Sequence, residues 1–382
     1  MPSGTRAFDW TVPDEWTIRD AYVADEAGNR VIDFRENNLH VLGYSEPVDR
    51  VLDLSELQDH LYSLPEQPDA IPYRTSYYRR RWGFCLSENR REALKPGRYR
   101  AVIDSDLKPG VMNYADLILP GRSKREILLS TYVCHPSMAN NELSGPVVTA
   151  ALARMLAGMN RRFTYRILFI PETLGSIVYL SRHLEEMKRK TIAGFVVTCV
   201  GDERAYSFLP SRLGNTLADR VARRVLRANV AYKEYPFTEK GSDERQYCSP
   251  LVDLPVVSIM RSKYGSAGFR EYHTSLDNLD LITPQGLLGA FEIYRRCIDA
   301  LENARIYRAV IPGEPQLGKR GLYPDLSTTD TFAAVKNMMG VLAYADGAHD
   351  VADIAGILGA SEQECAAIAG KLSAAGLLEE IA

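Results

Sequence analysis

Four polar residues fall where runs of apolar residues give out. His135 follows Ile127-Leu128-Leu129, and Glu172 follows the run 165–170 directly after Pro171. Asp202 follows Gly201 at the end of the run 194–200, and His273 lies beyond the run 254–260 in Glu271-Tyr272-His273-Thr274-Ser275. Histidine, glutamate, aspartate and histidine make a nitrogen and oxygen donor set without thiolate, which suits a catalytic zinc or similar divalent ion that keeps one position open to water. Such an ion lowers the pKa of bound water and polarises a carbonyl, and a free carboxylate can then carry the proton.

Each residue alone has a plainer role. His135 before Pro136 can cap its loop. Glu172 can sit at the start of the next helix, where an acid is favoured in any case. Asp202 beside Gly201 is a common turn pair, and His273 can be a buried, hydrogen-bonded histidine. Their shared position at strand ends is what joins them. The first loop, Thr131 to Gly145, also carries Asn140, Asn141 and Glu142. A fifth polar segment, Gly241 to Pro250, offers Asp243, Glu244, Arg245 and Tyr247 to grip a substrate, with an ordinary surface loop as the equal alternative. The run Tyr77-Tyr78-Arg79-Arg80-Arg81-Trp82 is read as a hairpin with a solvated face and an interdomain salt bridge, in preference to a site for an acidic ligand.

The elements that must position these residues are legible from Arg125 onward. Candidate strands cover 126–133, 165–170, 194–200 and 254–260, and candidate helices 143–159, 174–190 and 216–229. Continuous Val/Ile/Leu runs mark buried parallel strands, and such sheets hold their chemistry at the carboxyl ends of the strands. Thr283-Pro284 opens a further helix to about 303, with Pro at its first position. Ahead of this core, residues 31–119 change character: Tyr, Arg and Pro dominate, Lys95-Pro96-Gly97 and Lys108-Pro109-Gly110 mark turns, and 99–103 reads as a strand. That region is expected to be an inserted, mostly β domain with a helix over 53–64.

The 382 residues, 46% hydrophobic and 25% charged, describe a globular protein of two or three domains. A net charge of −3 calls for neither nucleic acid nor an acidic membrane. The opening residues lack an apolar signal region and no run reaches membrane-span length, so a cytoplasmic protein without a membrane partner is expected. Six scattered cysteines without a CxxC pair fit a reducing compartment. The last fifty residues read as three short helices, with Asp350 and Ser361 as caps. Their spacing invites a DNA-binding reading, but from 347 onward Lys371 stands alone against Asp350, Asp353, Glu362, Glu364, Glu379 and Glu380. Phosphate contacts need Lys or Arg, so docking or self-association is the expectation there.

Together these segments resemble the bacterial zinc aminopeptidase-like family, over nearly the whole chain. The resemblance is carried by Gly4-Thr5-Arg6-Ala7-Phe8-Asp9-Trp10, Arg80-Arg81-Trp82-Gly83-Phe84, Cys134-His135-Pro136-Ser137, Leu143-Ser144-Gly145, Pro171-Glu172-Thr173-Leu174-Gly175-Ser176, Gly241-Ser242-Asp243-Glu244-Arg245-Gln246-Tyr247 and Tyr272-His273-Thr274-Ser275. It implies an α/β fold: a mixed sheet with helices on both faces (residues 1–30 and 120–315), an inserted β-rich domain (31–119) and a small winged-helix-like domain (325–382). It places His135, Asp202 and His273 on metal-ligand positions and Glu172 on an acidic position that serves as base or ligand. Where the family has Ala-Asn-Asp-Asn-Leu-Ser-Gly, this chain has Ala139-Asn140-Asn141-Glu142-Leu143-Ser144-Gly145. The aspartate that bridges two metals is therefore Asn141, a neutral and poor bridge, and one zinc is expected rather than two.

Three functions compete on this footing. The first is a metal-dependent amide or peptide hydrolase of aminopeptidase type serving a biosynthetic pathway. It would take a small-molecule or peptide substrate with a free amino group, with Glu172 moving the proton and Asp243, Arg245 and Tyr247 holding the substrate. The second is a one-metal biosynthetic enzyme catalysing transfer, cyclisation or condensation at an amide or ester. The third is a non-catalytic assembly module, with self-association through the inserted or C-terminal domain.

Overall fold

The computed structural model describes residues 1–265, 268–322 and 329–381. Its centre is a seven-stranded mixed sheet. In chain order the strands are β1 (Ala115–Leu119), β2 (Glu126–Tyr132), β3 (Thr164–Ile170), β4 (Thr191–Val196), β5 (Ser207–Leu209), β6 (Lys233–Glu234) and β7 (Val256–Met260). Across the sheet they run β6-β5-β7-β4-β2-β3-β1. β2, β3, β4 and β7 are mutually parallel, while β1 and β5 pair antiparallel with β3 and β7. The four apolar runs are thus adjacent parallel strands, and their carboxyl ends lie along one edge. β4 begins and ends earlier than its expected 194–200.

Side-chain alternation sorts the core into two layers. Ile127, Leu129, Tyr165, Ile167, Phe195, Val257 and Ile259 pack with α1 (Ser144–Ala157), α3 (Leu217–Asn229) and α4 (Pro284–Glu302). Leu128, Leu168, Ile170, Val196 and Val256 face the other way, with Tyr179, Leu180 and Met187 of α2 (Leu174–Lys190). α1 approaches the sheet so closely that a Cβ on Gly145 would lie 2.4 Å from the Val197 carbonyl oxygen, so glycine is required at its second residue. A buried ion pair ties this second layer together. Arg166 on β3 holds Glu126 on β2 through two contacts of 2.7 and 3.1 Å and donates to the Tyr179 hydroxyl of α2 at 2.6 Å.

The inserted region is an antiparallel four-stranded sheet, ordered Arg30–Asp33, Glu15–Ala24, Arg98–Lys108, Val48–Asp53. Its strands therefore begin before residue 31, because Glu15–Ala24 pairs along its length with Arg98–Lys108. The expected boundary at 119 also differs, since Ala115–Leu119 is the edge of the large sheet. The helix expected over 53–64 is two short turns, Leu54–Leu57 and Gln58–His60, after which Leu61 enters a strand. The Tyr77–Trp82 run forms no hairpin; Arg80 pairs with Asp14 at 3.1 Å.

The tail has the three expected helices, Thr329–Tyr344, Val351–Leu358 and Glu362–Ala374. It adds a three-stranded sheet of Ile306–Ala309, Asp346–Asp350 and Leu378–Glu380, completing a winged-helix arrangement. Residues 325–328 and 382 of the expected tail domain lie outside the described residues. Asp350 caps its helix, and with Asp353 it also meets Arg220 and Arg224 of α3, at 2.6 Å for Arg220–Asp353 and 2.8 Å for Arg224–Asp350. Among the described residues no helix is long and apolar enough to cross a membrane.

Removing one member of a buried ion pair strands the other's charge. Glu126→Gln is expected to destabilise the protein by about 3 kcal/mol, read as a lower urea midpoint, with Glu126→Leu/Arg166→Met recovering most of the loss. Arg224→Ala is expected to speed amide exchange in Val351–Leu358 while leaving the large sheet protected, as mass spectrometry of exchanged peptides will show.

Candidate metal and catalytic site

The β2 exit is built around one carboxylate. After Tyr132 the chain turns through Cys134 and His135, makes a single π-helical turn at Ala139–Leu143, and enters α1. Glu142 on that turn reaches back. Its Oε1 accepts the Cys134 amide at 2.7 Å, and its Oε2 accepts the His135 amide at 2.9 Å. The same Oε2 lies 3.3 Å from His135 Nδ1. A carboxylate accepts from an imidazole N–H, so this contact favours the tautomer with its proton on Nδ1, the one that offers the Nε2 lone pair, although the Cys134 sulfur lies equally close to Nδ1 at 3.3 Å. His135 Nε2 lies 3.7 Å from Glu172 Oε2 at the β3 exit. Cys134, His135 and Glu142 are the one group of three His, Cys, Asp or Glu donors within 4.8 Å of each other among the described residues. Glu142 spends its oxygens on the loop itself, and burial with Glu142 and Glu172 nearby pushes the Cys134 thiol well up, which keeps it protonated.

His273 completes the cluster. Its ring centroid is 5.1 Å from that of His135, and it stacks on Tyr272 at 3.8 Å. Burial and the neighbouring His135 hold its pKa down to about 3, so the ring is neutral. Its Nε2 is buried and makes no hydrogen bond. An unpartnered buried polar atom costs about 1–3 kcal/mol. A neutral imidazole nitrogen with no other partner is also what a metal ligand needs to be. The inserted region holds this residue in place: Tyr73 donates its amide to the His273 carbonyl at 2.8 Å, and Ser275 donates to the Ile71 carbonyl at 2.9 Å. Tyr73 also puts its ring 5.2 Å from both histidine rings.

The β3 exit is strained. Thr173 has φ +63°, unusual for a β-branched residue. Asp243 Oδ1 accepts its amide at 2.7 Å and the Ser176 hydroxyl at 2.8 Å, while Arg245 donates to its Oγ1 at 2.7 Å. Burial and the adjacent Glu172 raise the Asp243 pKa to about 7, and its Oδ2 has no partner. Burial likewise raises Glu172, against the pull of His135 and Arg245. The same kind of strain recurs at each exit of the four parallel strands. Ser137, Thr173, Cys199 and His273 all have positive φ, between 52 and 63°.

The other expected site residues make hydrogen bonds of their own. Asp202 is fully buried, and its carboxylate accepts from the Ser262 amide and hydroxyl, the Asn140 side chain and the Arg204 amide. Four donors fill its lone pairs, so Asp202 fastens loops to each other. Asn141 turns its oxygen to the Tyr132 hydroxyl at 2.6 Å. Tyr247 is wholly buried in the core under the sheet, sharing a hydrogen bond with Ser130 at 2.9 Å, and cannot reach a substrate. Arg245 and Glu172 do line a cleft of about 600 Å³, together with Cys134, Tyr73, Tyr77 and Trp16. Tyr73 and Asp277 were not foreseen. Asp277 accepts the Asn140 and Asn141 amides at 2.6 and 2.9 Å and so caps the π-turn. Its place two residues after Ser275 in the His273 segment was the available signal.

Comparison with known proteins agrees with this architecture. A profile described as "Domain of unknown function (DUF4910)" matches residues 1–304, and a winged helix-turn-helix profile matches residues 305–380. A Clostridium acetobutylicum protein, described provisionally as a polysaccharide biosynthesis protein with an aminopeptidase-like domain, is 44% identical over 362 residues, covering 93% of this chain and 82% of that one. A crystal structure from the same species, described provisionally as a peptidase, is 42% identical with a TM-score of 0.81, covering 100% of this chain and 87% of that one. The zinc aminopeptidase of Bacillus subtilis shares the fold at 13% identity and a TM-score of 0.55, over 76% of this chain and 83% of that one. The chain belongs to the DUF4910 family of aminopeptidase-like proteins, with a winged helix-turn-helix domain following its α/β core.

Proposed function

We propose that this protein is a metal-dependent amide hydrolase of aminopeptidase type that works on one zinc ion in a biosynthetic setting. The observation that carries the reading is a pair of neighbouring histidines, His135 buried and His273 half-buried with its Nε2 atom enclosed. His273 Nε2 has no partner, and His135 Nε2 faces Glu172. His135 and His273 would hold the ion, with Glu172 beside them. When bound, such an ion supplies Lewis acidity and a water of lowered pKa. Glu172, whose pKa burial raises, is placed beside His135 to take and return a proton. Arg245, charged and on the cleft wall, can orient a substrate carbonyl. The name of the Clostridium relative supports the biosynthetic setting.

A second reading rests on Asn141. Its neutral amide, already engaged by Tyr132, favours a one-metal site, and such a site also suits transfer or cyclisation at an amide. The two readings share a site and differ in what accepts the acyl group.

Protein prepared without chelators is expected to carry about one zinc per chain by elemental analysis and to cleave members of an aminoacyl-amide panel. Full activity in metal-stripped protein would overturn the proposal. Glu142→Gln is expected to weaken zinc binding by about 10–100-fold, because it loosens the ring that must present Nε2. Glu172→Gln is expected to keep the fold and lower kcat by about 10²–10⁴-fold. Asn141→Asp is expected to admit a second ion, and an unchanged ion count would show that residue 141 does not limit the site.

A further inference from the structure

Much of the cleft that Glu172 and Arg245 line is made of rings. Trp10 comes from the N-terminal segment, and Trp16, Tyr44, Tyr77 and Tyr78 from the inserted region. Three of them leave much of their surface in solvent: Trp10 is 39% exposed, Tyr77 42% and Tyr78 58%. Scattered exposed aromatics are ordinary, but a contiguous set on one concave surface marks a binding site.

The rings are also fixed before any ligand arrives. Trp16 stacks with Tyr44 at 5.8 Å, Tyr77 meets Tyr44 edge-on at 5.0 Å, and Trp10 leans on Tyr78 at 6.3 Å. The Trp16 indole N–H donates to the Ser45 carbonyl at 3.0 Å. The Tyr78 hydroxyl donates to the Thr11 carbonyl at 2.8 Å, tying the two segments together. A platform ordered in advance loses little entropy when it binds. Flat faces favour a flat partner, by π-stacking with an aromatic ring or by C–H contacts with a sugar ring. The cleft volume of about 600 Å³ holds more than a single aliphatic side chain.

We propose that this aromatic wall is a specificity subsite for a ring on the substrate, carried beside the amide that Glu172 addresses. The role of the ring in turnover rests on the hydrolase reading, whereas its binding does not. The test is calorimetric titration of the full-length protein with three probes: phenylalaninamide, N-acetylglucosamine and leucinamide. At least one ring probe is expected to bind about tenfold tighter than leucinamide, and the tighter of the two tells an aromatic substrate from a sugar. Trp10→Ala and Tyr77→Ala are expected to bring that probe down to the affinity of leucinamide. Trp10→Phe, which keeps a ring and checks the fold, is expected to retain the preference. Equal affinity for leucinamide, no binding of either ring probe, or an equal loss for all three probes in the alanine variants would overturn the subsite. Ring-selective binding without hydrolysis of any amide would overturn the hydrolase reading and leave the subsite standing.

Discussion

The carboxylate of Glu142 is the contact on which the candidate site depends. One side chain accepts two successive loop amides and lies against the adjoining imidazole, so it holds the backbone and the ring together. The other strand exits use the same device. Asp277 caps the π-turn, Asp202 draws Ser262 and Asn140 together, and Asp243 restrains Thr173. Loops at the end of a parallel sheet carry amides that no strand pairs, and a buried carboxylate satisfies two or more of them at once. Most acids at this edge therefore hold the loops, while Glu172 faces His135 Nε2 at 3.7 Å.

How much of this was legible in the sequence follows from the range of the interactions. The parallel strands were readable because a buried strand needs only a local run of apolar residues. The placement of His135, Glu172 and His273 followed from where those runs stop. The β1 and β5 strands, the tail strands and the reach of the inserted sheet were not readable. Short edge strands are defined by their partners, and Glu15–Ala24 finds its partner more than seventy residues away at Arg98–Lys108. The roles of Asp202 and Tyr247 were hidden for the same reason, since their partners Ser262 and Ser130 lie 60 and 117 positions away. The resemblance to a known family supplied the winged-helix tail, which composition alone showed only as three helices.

The acidity of that tail has a structural use. Asp350 and Asp353 are spent on Arg220 and Arg224 of the core, in contacts with both aspartates buried or nearly so. A surface that looks unsuited to phosphate in the sequence is, in part, an internal seam. The winged helix-turn-helix domain is joined to the α/β domain in part through these two acids.

The four positive-φ residues at the strand exits bear on how this protein can change. Each such conformation costs about 1–3 kcal/mol, and together they draw on a large share of the stability that a domain has to spare. Glycine at any of them would relieve the strain, yet none of the four is glycine. Two of the four are a candidate ligand, His273, and the neighbour of the candidate base, Thr173. The edge of the sheet that carries the candidate site is thus also where the backbone is least relaxed, so substitutions selected for heat resistance alone would fall there first.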